Sequence, residues 1–179
     1  MTFVLTVLAA FLIGSIPFAK IAMIGTGIDI TKVGSRNPGF NNVLRVSTKW
    51  RAAIVLIGDI GKGCFAVWLL GPHWLVVIAP VVGHCWSPWL RFNGGKGVAT
   101  TVGVMVYMQP WITLSCLPLY LALRIIGRKI GWRQEGAVAS MSTMLLLSVV
   151  VGEAYAYAML TIVVIRHIPN LREIMASRP

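Results

Sequence analysis

Residues 98–123 read VATTVGVMVYMQPWITLSCLPLYLAL, and residues 136–165 read GAVASMSTMLLLSVVVGEAYAYAMLTIVVI. Each run is apolar enough to cross a bilayer, and each is interrupted near its middle, by Gln109-Pro110 and by Gly152-Glu153. Proline lacks an N–H and disfavours helix in the residue before it; glycine is a poor helix former, and Glu153 adds a charge. If each run crosses once, the chain has five helices, and Arg124, Arg128, Lys129 and Arg133 fall on the face opposite Arg91 and Lys96. If each folds back at its break, it has seven transmembrane helices, and every loop rich in Lys and Arg lies on one side. The preference of cytoplasmic loops for Lys and Arg selects seven, with the N-terminus outside and the C-terminus cytoplasmic. Some helices are then short. Val98–Met108 reaches only about 17 Å at about 1.5 Å per residue, so it needs local thinning or protein neighbours.

Outward from these runs the same logic holds. Residues 2–24 form a first apolar span, 52–70 a second and 74–90 a third, with Gly71-Pro72-His73 as a tight turn. Polar segments cover 25–51, 91–97, 124–134 and the tail 166–179. A signal peptide is disfavoured for residues 2–24, because no Lys or Arg precedes the apolar run and no A-x-A cleavage site follows it. The 179 residues are 57% hydrophobic and 12% charged, against about 25% charged in a soluble domain. A small globule cannot hide that much apolar surface. A soluble fold and a disordered chain are both excluded, leaving an all-α, polytopic membrane protein with residues 1–179 as a single domain.

Sixteen Lys and Arg against 5 Asp and Glu give a net charge of +11. On a soluble chain this would point to nucleic acid. Here the positions point instead to membrane orientation together with an anionic substrate, and no nucleic-acid partner is expected. Cys64, Cys85 and Cys116 lie in apolar stretches without a CxxC or a His at ligand spacing, so they read as small core residues and no metal is expected.

Three polar constellations lie at the cytoplasmic ends. The first, residues 34–45, holds Gly34, Ser35, Arg36, Asn37, Gly39, Asn41, Asn42 and Arg45. Glycines allow close approach, the hydroxyl and amides hydrogen-bond, and Arg45 offers a bidentate fork for phosphate. A solvated loop with ordinary positive-inside arginines is the plainer alternative. The second, residues 92–100, runs Gly94, Gly95, Lys96 and Gly97 into the start of a helix. Amide N–H groups and the positive dipole end bind anions there, and Lys96 adds a point charge. It is not a nucleotide P-loop, because the earlier glycine is missing and Gly97 stands where Ser or Thr belongs. Ahead of it His84 sits just inside a span end, as either a packed residue or a base. The third, residues 166–172, carries Arg166, His167, Asn170 and Arg172 where the last helix leaves the membrane; snorkelling cations are the alternative. Asp59 and Lys62, at i and i+3, can pair within the second span and anchor the loops, as structural supports with a functional role as the alternative.

Gly14-Ser15-Ile16-Pro17, residues 34–45, Asp59-x-x-Lys62-Gly63, Gly83-His84 and residues 92–100 resemble the acyl-phosphate:glycerol-3-phosphate acyltransferase (PlsY) family in order and spacing over almost the whole chain. The resemblance implies a multi-pass enzyme of the bacterial inner membrane with its active site on the cytoplasmic side. It would transfer a fatty acyl group from acyl phosphate to the 1-hydroxyl of glycerol 3-phosphate, giving lysophosphatidic acid and phosphate without a cofactor. Ser35, Arg45 and Lys96 match the family's active-site residues, and His167 and Asn170 match its late His and Asn. Gly34, Asn37, Gly39, Asn41, Asn42, His84, Gly94, Gly95 and Gly97 become substrate-binding candidates. This sequence departs from the pattern at Phe40-Asn41-Asn42, where Ala-Thr-Asn is usual, at Glu173, where a basic residue is expected, and at residues 175–179, which lack a closing Gly-x-Glu.

The residues suit that chemistry. Both substrates carry phosphate, which two donor-rich loops can hold. Acyl phosphate already has a good leaving group, so positioning and charge stabilisation matter more than a strong nucleophile. No H-x4-D motif and no G-x-S-x-G elbow is present. Direct attack is expected, with a substrate phosphate oxygen or a water taking the proton, and His84 or His167 as the alternative base. A small-anion transporter would instead carry polar residues through its spans and an inverted repeat, which this sequence lacks. An inactive family member is the third reading.

Overall fold

The computed structural model describes residues 2–132 and 134–176; Arg133 and the tail from 177 onward, with Arg178, lie outside the described residues. Among the described residues every regular element is helical. In order these are α1 (Thr2–Ser15), α2 (Phe18–Ala22), α3 (Phe40–Val46), α4 (Lys49–Leu70), α5 (Trp74–Cys85), a 3-10 turn at Pro88–Leu90, α6 (Val98–Met108), α7 (Pro110–Ser115), α8 (Leu117–Lys129), α9 (Glu135–Val151) and α10 (Ala154–Ala176).

Both long apolar runs break where the sequence marks them. Pro110 opens α7 at a position where its missing N–H is no loss. Gly152 closes α9 at φ 70°, the left-handed conformation that glycine adopts without penalty. Helices α9 and α10 pack on one another, and the Ser148 hydroxyl donates to the Ala156 carbonyl at 3.1 Å across their junction. Thr2–Ala22, Lys49–Leu70 and Pro110–Lys129 are long and apolar enough to cross a membrane; Trp74–Leu90, Val98–Met108 and Glu135–Val151 are shorter apolar stretches.

Several expected boundaries move. The first apolar run is not one helix, because Pro17 stops α1 and a new turn starts at Phe18. Lys49 and Arg51 belong to the first turn of α4, not to a loop. The third span is α-helical only to Cys85. The basic segment 124–134 is largely the end of α8, and the tail continues α10 to Ala176. Charged side chains do not end a helix whose backbone hydrogen bonds are made internally, so loop composition alone misplaces these boundaries.

The chain forms two compact units, Met1–Tyr107 and Met108–Pro179. In the first, α1 packs on α4 and α5, and α2 and α3 lie against α4. The α1–α5 crossing is backbone against backbone: Gly14 meets the Pro80 carbonyl, and Gly83 meets the Phe11 carbonyl, so a Cβ at either would overlap main chain. Small residues at crossings are how helices approach when lipid supplies no hydrophobic drive. Large apolar side chains lie outside instead, as at Ile57 and Trp68. In the second unit α9 packs between α8 and α10 and also touches α7.

Candidate active site

The turn over residues 34–39 is built around Asn42. Gly34 has φ 58°, and a Cβ there would run into the Asn42 amide oxygen. That oxygen accepts from the Ser35 N–H at 2.8 Å, while the Asn42 amide donates to the carbonyls of Ile30 at 3.2 Å and Val33 at 3.0 Å. Asn42 is buried with its amide committed to the loop's own backbone, so it shapes the turn. Ser35, Asn41 and Arg45 are exposed around it, with Asn37 partly exposed. Gly39 starts α3 in extended backbone, and its N–H donates to the Asn37 carbonyl at 2.9 Å. Upstream, Asp29 accepts from the Thr31 hydroxyl at 2.7 Å and N–H at 3.1 Å, which holds its carboxyl below the usual carboxylate range.

The second loop is pinned from beneath. Gly94 N–H donates to the Cys85 carbonyl at 3.0 Å and Gly95 N–H to the His84 carbonyl at 3.1 Å. Those two glycines therefore let the loop lie on the end of α5: a Cβ at Gly94 would meet the His84 carbonyl, and one at Gly95 the His84 ring. Arg91 and Phe92 take left-handed conformations, φ 51° and 61°, to deliver the chain there. Helix α6 follows, its first internal bond running from Thr101 N–H to the Gly97 carbonyl at 2.8 Å. The amides from Gly97 to Thr100 thus have no carbonyl partner within the helix, as at any helix start. Lys96 is partly exposed just ahead of them.

Beneath this loop lies a buried charge cluster. Asp59 Oδ1 is 2.7 Å from Lys62 Nζ and 3.4 Å from His84 Nδ1. Lys62 also donates to the Ile16 carbonyl at 2.8 Å and sits over the Phe18 ring. The Ser87 hydroxyl donates to the neighbouring Ser15 carbonyl at 2.7 Å. Pro17 explains why those carbonyls are available, since it interrupts the helix that would have used them. The alternation of Pro17 with small residues in an apolar run was the visible signal for this break; Ser87 carried none.

His167 and Asn170 belong to the second unit, on α10. His167 is buried, with Nδ1 2.7 Å from the Val163 carbonyl. A carbonyl only accepts, so Nδ1 carries the proton and a neutral ring keeps its lone pair on Nε2. Asn170 donates to the Gln134 side-chain oxygen at 2.6 Å, and the Gln134 amide donates to Glu173 at 2.7 Å. Glu173, the departure from the expected basic residue, thus has a defined place. Gln134 was missed by the sequence reading, because its contact is 36 residues distant along the chain.

Helices long and apolar enough to cross a membrane, with two glycine-rich loops in one compact unit, are the frame of an integral membrane protein. The chain belongs to the glycerol-3-phosphate acyltransferase family, whose model matches residues 4–177. It is 38% identical to the glycerol-3-phosphate acyltransferase of Aromatoleum aromaticum, over 98% of this chain and 94% of that protein. It is 34% identical to that of Laribacter hongkongensis, over 99% and 94%. The crystal structure of PlsY, an integral membrane glycerol 3-phosphate acyltransferase, in its glycerol 3-phosphate form superposes with a TM-score of 0.85 at 27% identity, covering 99% of this chain and 94% of that one. The lysophosphatidic acid form of PlsY gives 0.84.

Proposed function

We propose that this protein makes lysophosphatidic acid by transferring an acyl group from acyl phosphate to the 1-hydroxyl of glycerol 3-phosphate. The hydroxyl oxygen attacks the acyl carbon, the ester C–O bond forms, and the bond to the phosphate oxygen breaks. Inorganic phosphate leaves with the electron pair, and the hydroxyl proton passes to a phosphate oxygen or to water. Membership of the acyltransferase family supports the reaction. The observation that carries the reading of the site is the pair of donor-rich stretches in one compact unit, each carrying a cation, Arg45 on α3 and Lys96 just ahead of α6. Arg45, Lys96, Ser35 and the first amides of α6 hold the phosphates; His167 and Asn170 are the catalytic candidates of α10, and residues 1–179 act as one domain. No cofactor takes part.

The test is phosphate release by purified protein from palmitoyl phosphate and glycerol 3-phosphate. Release that depends on both substrates supports the reading, and its absence from folded protein overturns it. Acyl-CoA should not replace the donor, because a thioester needs a base that no H-x4-D motif supplies, whereas a departing phosphate accepts the proton itself.

We further propose seven spans in the bacterial inner membrane, N-terminus outside. The breaks at Gln109 and Gly152 and the one-sided basic segments support this. Cysteines placed at Arg36, Arg128 and Arg172 should label only from the cytoplasm; labelling of position 128 from outside would remove the seven-span topology.

A further inference from the structure

Charge buried in a span needs a reason beyond hydrophobic packing, and the Asp59–Lys62–His84 cluster has one in its contacts. Lys62 uses its ammonium on Asp59 and on the Ile16 carbonyl that Pro17 leaves available. Asp59 faces both Lys62 and His84, with the three side chains nearly or fully buried. His84 then meets the glycine loop twice, since its carbonyl accepts from Gly95 N–H and its ring occupies the space where a Gly95 side chain would stand. A carboxylate only accepts, so Nδ1–H of His84 points to Asp59 and the ring orientation is fixed from α4. The same cluster lines a cavity of about 10 Å³ that is also lined by Gly95 of the second loop and Pro38 of the first.

We propose that Asp59 and Lys62 are positioning residues for the substrate-binding loop at Gly94–Gly97, acting through the His84 ring. Lys62 holds Asp59, Asp59 holds His84, and His84 sets the height and tilt of Gly95 and so the direction in which Lys96 and the first turn of α6 meet a phosphate. The proposal rests on the reading of that loop as a phosphate site. It assigns the ion pair a role in substrate affinity, beyond lowering the cost of charge in the span.

The experiment is steady-state kinetics with palmitoyl phosphate and glycerol 3-phosphate varied in turn, on protein whose folded fraction is measured by thermal unfolding. Asp59→Asn should raise the KM of one substrate at least tenfold and leave the other within twofold. Because breaking a buried pair by removing one partner can unfold a protein while replacing both is often tolerated, the double variant Asp59→Asn with Lys62→Met is measured beside it. It should regain the folded fraction and keep the KM defect. Return of both to wild-type values would reduce the cluster to a salt bridge and overturn the proposal. His84→Asn keeps a donor near the Nδ1 position and His84→Gln does not, so the KM shift should be smaller for Asn; equal shifts also overturn it. Lys96→Ala separates the two levels. If it leaves both KM values alone, the phosphate reading of the loop fails. If it raises one KM and Asp59→Asn in folded protein raises neither, only the positioning role fails.

Discussion

In the first unit Ser35 and Lys96 hang on irregular backbone and Arg45 on the seven-residue α3, whereas His167 and Asn170 in the second sit within a helix of 23 residues. The loops need glycine at positive φ, a buried Asn and a buried ion pair to hold one shape. The helix supplies its own backbone bonds except at Pro169, which has no N–H to give, and a spacing of three residues puts His167, Asn170 and Glu173 on one face. There only the side chains need bracing, by the Val163 carbonyl and by Gln134. Irregular backbone is costly to bury unless its polar groups find partners. The loops satisfy this with Asn42 and with the carbonyls at the end of α5, and damage there should spread further than damage on α10.

The largest effect should come from the cations of the two donor-rich stretches. Arg45→Ala and Lys96→Ala each remove a charge-assisted contact of about 1.5–3 kcal/mol, which is roughly 10- to 150-fold in kcat/KM at about 1.4 kcal/mol per factor of ten. Arg45→Lys should keep much of the defect, because a point charge cannot reproduce the fork. Losses no larger than twofold at both positions would put the chemistry on α10 instead.

Next is Asn42→Leu, which leaves the Ser35 N–H and the carbonyls of Ile30 and Val33 without their partner. A cost of about 1–3 kcal/mol is expected for a buried group left unsatisfied, read as a lower unfolding temperature and a rise in KM. A drop in stability with unchanged KM would show that the turn's shape does not matter to binding. Gln134→Ala should act more locally. It removes a neutral contact to Asn170, about 0.5–1.5 kcal/mol, together with the exposed bond to Glu173, so kcat/KM should fall roughly 2- to 10-fold with only a small drop in unfolding temperature. A loss equal to that of Asn42→Leu in both measurements would erase the contrast between loop and helix.

The contrast also explains what could be read in advance. The helical class and the breaks at Gln109-Pro110 and Gly152-Glu153 are local properties of residue type, and the sequence displays them. Gly34 and Gly95 stand out as glycines, but the reason for each is a neighbour distant in sequence, the Asn42 amide in one case and the His84 ring in the other. Asn42 looks like a ligand by composition and is a brace by geometry. Asp59 and Lys62 advertise a pair at i and i+3, yet nothing in their spacing points to His84 or to the Ile16 carbonyl. The extent of α8 and α10 was hidden because Arg and Lys read as loop while being good helix formers.

The smallest effect belongs to a cation of the second unit. Arg128 lies at the end of α8 with Nε 3.5 Å from Glu135, and Arg124 reaches the same carboxylate at 3.9 Å. The Arg128 side chain is 63% exposed, so water screens the pair, and such surface pairs contribute only about 0–1 kcal/mol. Its charge also sits favourably at a helix C-terminus. Neither role touches a substrate. Arg128→Ala should therefore leave kcat/KM of folded protein within about twofold, with any loss appearing as less protein inserted in the membrane. If Arg128→Ala costs as much as Arg45→Ala, positive charge on the cytoplasmic side acts as a general field, and the division between loops that bind and helices that brace fails.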